Sequence, residues 1–283
     1  MSKSLVLGSG YVGSRILEIL QGRQHDTTAW TLHEDSANSL RNSANRVIFS
    51  DASLASSWPS PDDKYDYVFF CLSTSGGDSQ AYRRIHNKAL RLAMEHLIHP
   101  KIRLVYCSST SVYGQNDGTE VDELSVSAPS SETSKILIEA EQEILIKGGT
   151  VARIGGIYGP GRAFLLKKFL KGEAIMESRG EKWVNQIHRE DVANGLIHLS
   201  QINSAEGEIY NLTDSTPVQY GTLYKWLSEN FSKPMPEKTT QQRSKRRGIS
   251  NKRVSNRKLL DTGYIPVHPS YRTGYLEVAP TLL

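Results

Sequence analysis

The sequence predicts an α/β protein built on a doubly wound parallel sheet, with a smaller mixed lobe from its C-terminal part. Three observations carry that reading. Short apolar runs alternate with helical stretches through the first half of the chain. Those runs are continuously apolar, as strands covered on both faces must be. The first of them ends in a glycine-spaced turn that opens a helix.

Taken in order, "SLVLG" (4–8) reads as a buried strand and "RILEIL" as the helix after it. "TTAWTL" (27–32), "RVIFS" (46–50) and "YDYVFFCL" (65–72) read as further strands. Leu90, Ala93, Met94 and Leu97 recur at helical spacing within a helix over about 80–97. "IRLVYCSS" (102–109) is a strand, 131–147 a helix and "GTVARIGG" (149–156) a strand. Beyond 156 the pattern loosens: a Gly-Pro-Gly turn at 159–161, helical pieces near 163–171 and 190–200, and a strand at 208–213. The expected division is a dinucleotide-binding domain over 1–156, completed by about 183–215. The smaller lobe takes 157–182 and 216–283.

Composition excludes several classes. Hydrophobic residues at 38% and charged residues at 23% describe an ordinary globular chain, and a net charge of +4 is too mild to argue for nucleic acid. Nine Lys or Arg and no acid fall between Lys238 and Lys258. With no aromatic residues interleaved, that run reads as a solvated loop or a phosphate-facing loop before it reads as a nucleic-acid surface. No run is long enough to span a membrane. Glycines and Arg15 interrupt the apolar N-terminus, so the expected location is cytoplasmic. Cys71 and Cys107 lie in apolar strand-like runs and read as reduced thiols. The histidines show no metal-ligand spacing and the cysteines are far apart in sequence, so no metal site is expected.

The turn "LVLGSGYVGSRI" places Gly8, Gly10 and Gly13 in the order G-x-G-x-x-G. The first glycine allows a tight turn and the second admits a pyrophosphate against the backbone. The third lets helix and strand pack closely, with the phosphates at the helix N-terminus. Tyr11 and Val12 within the turn, and Leu72 at the end of the fourth strand, are expected beside the cofactor. The second strand leads into His33, Glu34 and Asp35. An acid there would bond the ribose of NAD and a base the 2′-phosphate of NADP, and the choice stays open. Asp51, after the third strand, reads equally as an adenine contact or as a turn residue.

With "CSSTSVYG" (107–114), "RIGGIYGPGR" (153–162), "NQIHREDVA" (185–193) and "EIYNLTD" (208–214), the chain resembles the NAD-dependent epimerase/dehydratase family. That family is the extended branch of the Rossmann-fold short-chain dehydrogenases/reductases, and the likeness is nearest its atypical, YeeZ-like group. The resemblance implies an NAD(P)-dependent oxidoreductase or epimerase-like enzyme acting on a nucleotide-sugar or similar small anion. It implies Ser109 as the residue holding the substrate oxygen and Lys135 as the one holding the nicotinamide ribose. Arg162 and His188 are implied as substrate contacts, though His188 reads at least as well as a structural hydrogen-bonding residue, and a homodimer through the helices at 80–97 and 131–147 is implied.

The sequence departs from the family pattern at Leu7, where a glycine is usual, and at Ser131, where the catalytic tyrosine is expected four residues before Lys135. A tyrosine and lysine at i and i+4 share a helix face, and the ammonium draws the phenol toward working pH. A serine hydroxyl is a far weaker acid. Tyr113, or a water relayed through Ser131, could replace the phenol. A non-catalytic NAD(P) sensor on the same fold would need no replacement. Ser131 itself also reads as a helix-start cap.

Overall fold

The computed structural model describes residues 1–58, 64–74, 76–97, 99–177, 180–239 and 250–282. Five strands, β1 (Lys3–Leu7), β2 (Asp26–Thr31), β3 (Arg46–Phe49), β4 (Tyr67–Phe70) and β5 (Arg103–Ser109), join strands Thr150–Ile154 and Ile209–Leu212 in one seven-stranded sheet. From one edge the order is Ile209–Leu212, Thr150–Ile154, β5, β4, β1, β2, β3. The pairs β1–β2, β1–β4, β2–β3 and β4–β5 are all parallel. Strand order reverses between β1 and β4, which is where ligands bind in doubly wound sheets, beyond the carboxyl ends of the strands.

Continuous burial explains the continuous apolar runs. Leu5, Val6 and Leu7 of β1 and Val68, Phe69 and Phe70 of β4 are fully buried. Each such side chain contributes about 1.5–3 kcal/mol on leaving water. Helix α1 (Gly13–Gly22) covers β1 with Ile16, Leu17 and Leu20, the i, i+1, i+4 set of one face. Helix Glu132–Ile146 buries Ile136, Leu137, Ala140 and Ile144 in the same way. It also buries Glu141, whose carboxylate pairs with Arg153 at 2.7 Å and accepts the Ser108 hydroxyl at 2.5 Å. The segment expected as one helix over 80–97 is helix Ser79–Tyr82, a seven-residue π turn Arg83–Ala89 and helix Leu90–Leu97. The wide turn seats buried His86 with its Nδ1 2.7 Å from the Tyr106 hydroxyl.

The chain forms two compact units. The first comprises residues 1–112, 131–153 and 193–210, and the second 113–130, 154–192 and 211–283. The second unit takes in 113–130, 154–156, 183–192 and 211–215, which the sequence reading gave to the first domain. The reason is strand pairing: Glu120–Val121 pairs with Arg253–Val254, and Gln186–His188 with Gly156–Tyr158. Its core gathers Tyr158, Leu166, Phe169, Leu223, Leu227, Tyr271, Tyr275 and Val278. Among the described residues no helix is long and apolar enough to cross a membrane.

Candidate functional site

The glycine turn follows β1 at the switch point, and the structure separates the tasks of its three glycines. Gly8 has φ +91°, and a Cβ there would lie 2.6 Å from the Cys71 carbonyl group and from Leu72 N. A Cβ on Gly13 would lie 2.3 Å from the Gly8 carbonyl oxygen. Both positions require glycine for the protein's own backbone. Gly10 is exposed, and a Cβ there would meet nothing within 4 Å. The backbone is bare at Gly10 for no internal reason, which is what close approach by an outside group demands. The turn is fastened from behind: Gly8 N and Ser9 N both donate to Trp30 O, and the Ser9 hydroxyl donates to Val6 O. Tyr11 and Val12 are half-buried and lead into α1, while Leu72 touches the Gly8 position through its backbone.

The remaining expected cofactor residues follow the same sheet edge. β2 ends at Thr31, and exposed His33 stands at the start of helix α2 (Glu34–Leu40) with Glu34 and Asp35 in its first turn. Asp51 accepts from Ser53 N at 2.9 Å and from the Ser53 hydroxyl at 2.8 Å, the geometry of a turn residue. Burial would raise its pKa, but these bonds and the Arg84 and Lys88 charges outweigh it and hold the carboxyl below its ordinary range.

Ser109 ends β5 and its hydroxyl accepts from Ser111 N at 3.2 Å. Ser131 is the N-cap of helix Glu132–Ile146, with extended φ and ψ of −97° and 144°, and its oxygen accepts from Ser134 N at 3.2 Å. That hydroxyl is also the first member of a chain. Ser131 Oγ donates to Ser134 Oγ at 2.9 Å, and Ser134 Oγ donates to Ser111 Oγ at 3.0 Å. Ser134 is buried and Ser111 exposed, so the chain runs through the protein to solvent. Sequence reading missed Ser111 and Ser134, although Ser111 stands in "CSSTSVYG" and Ser134 directly precedes Lys135. Lys135 lies on the exposed side of the first helical turn.

Two of the residues weighed for the site are fully buried. Tyr113 is fully buried and its hydroxyl donates to Asn211 Oδ1 at 2.9 Å, so it packs the second unit and has no surface from which to act as proton donor. His188 is also fully buried, edge-on to Tyr158, with its ring centroid 4.0 Å from that of His268, the setting of a structural residue. Arg162 is exposed, in a tight turn where it exchanges two backbone hydrogen bonds with Gly159. Of the basic run, residues 240–249 lie outside the described residues. Lys252 is structural: it is buried and donates to Tyr113 O at 2.8 Å, and desolvation draws its pKa down to about 8. Arg253 lies over the Trp183 ring.

His188, His268 and Glu277 bring three candidate ligand atoms within 4.8 Å of one another. His188 Nδ1 accepts from Glu190 N, and burial, then the neighbouring His268 and Arg189, pulls its pKa down to about 3. The neutral ring therefore carries its proton on Nε2, facing the Glu277 carboxylate at 4.0 Å. A metal there would need a lone pair on Nε2, which the bond accepted at Nδ1 leaves protonated.

The sheet order, the switch-point turn and the bare backbone at Gly10 define a dinucleotide-binding α/β protein of the Rossmann type. The model of the NAD dependent epimerase/dehydratase family matches residues 4–213, and the chain belongs to that family. Its cofactor is accordingly a nicotinamide dinucleotide, whose pyrophosphate the open face of the turn fits. Protein YeeZ of Escherichia coli strain K12 is 27% identical over 221 residues, covering 75% of this chain and 77% of YeeZ. A conserved protein of unknown function from Silicibacter pomeroyi superposes with TM-score 0.80 at 22% identity over 99% of both chains. UDP-glucuronic acid 4-epimerase from Bacillus cereus, in complex with UDP-glucuronic acid and NAD, superposes with TM-score 0.78 at 18% identity, covering 99% of this chain and 98% of that one.

Proposed function

We propose that the chain is a nicotinamide-dependent enzyme of the epimerase/dehydratase or reductase kind. Its substrate is a nucleotide-sugar or a comparably anionic small molecule, and a serine hydroxyl chain stands in for the usual tyrosine. The observation that carries the reading is the glycine turn, closed by backbone at Gly8 and Gly13 and open at Gly10. The Bacillus cereus neighbour, with its UDP-glucuronic acid, suggests the substrate class.

When bound, the nicotinamide accepts or supplies a hydride. The chain's own residues supply the rest. Lys135 holds the ribose with an ammonium that solvent can reach, and Ser109 holds the reacting oxygen. A lone serine is a poor acid, because each pKa unit separating it from a phenol costs about 1.4 kcal/mol. The Ser131–Ser134–Ser111 chain avoids a free alkoxide by reversing its hydrogen bonds together, so a proton entering at one end leaves at the other.

A second reading, a cofactor sensor without turnover, is favoured by one observation: capping the helix already accounts for Ser131. The test is calorimetric titration with NAD⁺, NADH, NADP⁺ and NADPH, followed by incubation of the loaded protein with UDP-hexoses and UDP-hexuronates. An enzyme converts one of them and loses turnover in Lys135→Ala, with binding of the sugar retained. A sensor binds dinucleotide and converts none. No dinucleotide binding would overturn both.

A further inference from the structure

Two cysteines, the whole complement of this chain, meet at the switch point. β4 and β5 pair in parallel with Phe70 opposite Tyr106, so the next residues, Cys71 and Cys107, are cross-strand neighbours on one face. Their sulfurs are 3.4 Å apart, and both residues are half-buried. Neighbouring strands run about 4.8 Å apart, inside the range of roughly 4.4–6.8 Å that disulfides span between Cα atoms. Closing the bond asks the sulfurs to approach by a little over 1 Å, within reach of side-chain rotation at the free end of β4.

Cys71 also forms the floor of the glycine turn. Its N donates to Leu7 O at 2.7 Å, and its carbonyl group is the surface that forbids a side chain at Gly8. Movement of Cys71 is therefore transmitted to the turn.

We propose that Cys71 and Cys107 are a reversible dithiol–disulfide couple, oxidised by small-molecule disulfides of the glutathione type, and that its oxidation weakens dinucleotide binding. In the first step the Cys71 thiolate attacks the oxidant, forming a mixed disulfide and releasing one thiolate. The Cys107 sulfur, deprotonated in the second step, attacks the Cys71 sulfur and expels the second thiolate. The protein loses two electrons and two protons, and the oxidant becomes two thiols. The order follows from the site: Cys71 lies just beyond its strand. The Cys107 thiol is pushed up by the hydrogen bond between the two sulfurs and by burial, which disfavours it as the first attacker.

The thiol chemistry stands on the geometry alone, while its effect on binding rests on the dinucleotide reading above. The test treats the full-length native protein with oxidised glutathione, then follows intact mass and free thiols. The expected product is lighter by two hydrogens, carries no glutathione, has no free thiol and reverts with dithiothreitol. Cys71→Ser and Cys107→Ser should each stop at a retained glutathione adduct or stay unreacted. Wild-type protein that keeps an adduct, links to a second molecule or resists oxidation while folded overturns the couple. Titration of reduced and oxidised protein with the preferred dinucleotide then reads the coupling, expected as a loss of severalfold in affinity. Equal affinity overturns the coupling and leaves the couple. Absence of binding in both forms overturns the functional reading, and the mass result is unaffected.

Discussion

Alanine at Gly8 and at Gly10 should act in opposite ways, although the two residues are neighbours in one motif. At Gly8 the methyl would sit 2.6 Å from three backbone atoms of Cys71 and Leu72, on a residue whose φ is +91°. The left-handed backbone costs about 1–2 kcal/mol for a residue with a Cβ, and forcing apart packed backbone adds about 1–3 kcal/mol. Gly8→Ala should thus lose about 2–5 kcal/mol, a large part of the roughly 5–15 kcal/mol typical of a native protein. At Gly10 the methyl meets nothing within 4 Å and φ lies outside the left-handed range. Stability should stay within about 0.5 kcal/mol of wild type. Dinucleotide affinity should nevertheless fall at least about tenfold, or 1.4 kcal/mol, because the methyl occupies the approach of the pyrophosphate. Thermal unfolding and calorimetric titration of the two variants separate these effects. Wild-type affinity in Gly10→Ala would refute the turn as the pyrophosphate seat, and wild-type stability in Gly8→Ala would refute the steric account.

Other substitutions probe the rest of the molecule. Ser131→Ala should cost about 1 kcal/mol through loss of the helix cap. Ser131→Asp keeps the cap, so loss of turnover in that variant at wild-type stability would assign chemistry to the hydroxyl. Glu141→Ala, which leaves Arg153 charged and buried, should cost about 3–5 kcal/mol in denaturant unfolding; a smaller loss would mean that water reaches the pair. Asp214 is buried, and desolvation, only partly offset by bonds from Thr216 N and Tyr271 N, pushes its pKa up to about 8. The folded state then holds a proton that the unfolded chain has released, so stability falls as pH rises from about 4 to about 8, by at most about 1.4 kcal/mol per pH unit. Asp214→Asn keeps an oxygen for Thr216 N and should flatten that slope; an unchanged slope would place the titrating group elsewhere.

Much of this protein is written locally. The alternation of apolar strands and helices, the glycine turn and the cap at Ser131 depend on residues within a few positions of one another. Their spacing alone therefore determined that a covered parallel sheet forms, the cofactor class and the start of the Glu132–Ile146 helix. Long-range neighbours decided the rest. The resemblance offered His188 as a substrate contact and Tyr113 was a possible proton donor, but burial is set by the segments that pack on them, His268 and Tyr158 in one case and Asn211 in the other. Lys252 belongs to a basic run in sequence, yet Tyr113 O, 139 positions away, makes it an internal donor. Cys71 and Cys107 are 36 residues apart and meet only because β4 and β5 are adjacent and in register. Hydrophobic periodicity tells a chain which faces to bury. It does not say which polar groups will meet there, because that depends on strand order and register, which only the assembled sheet sets.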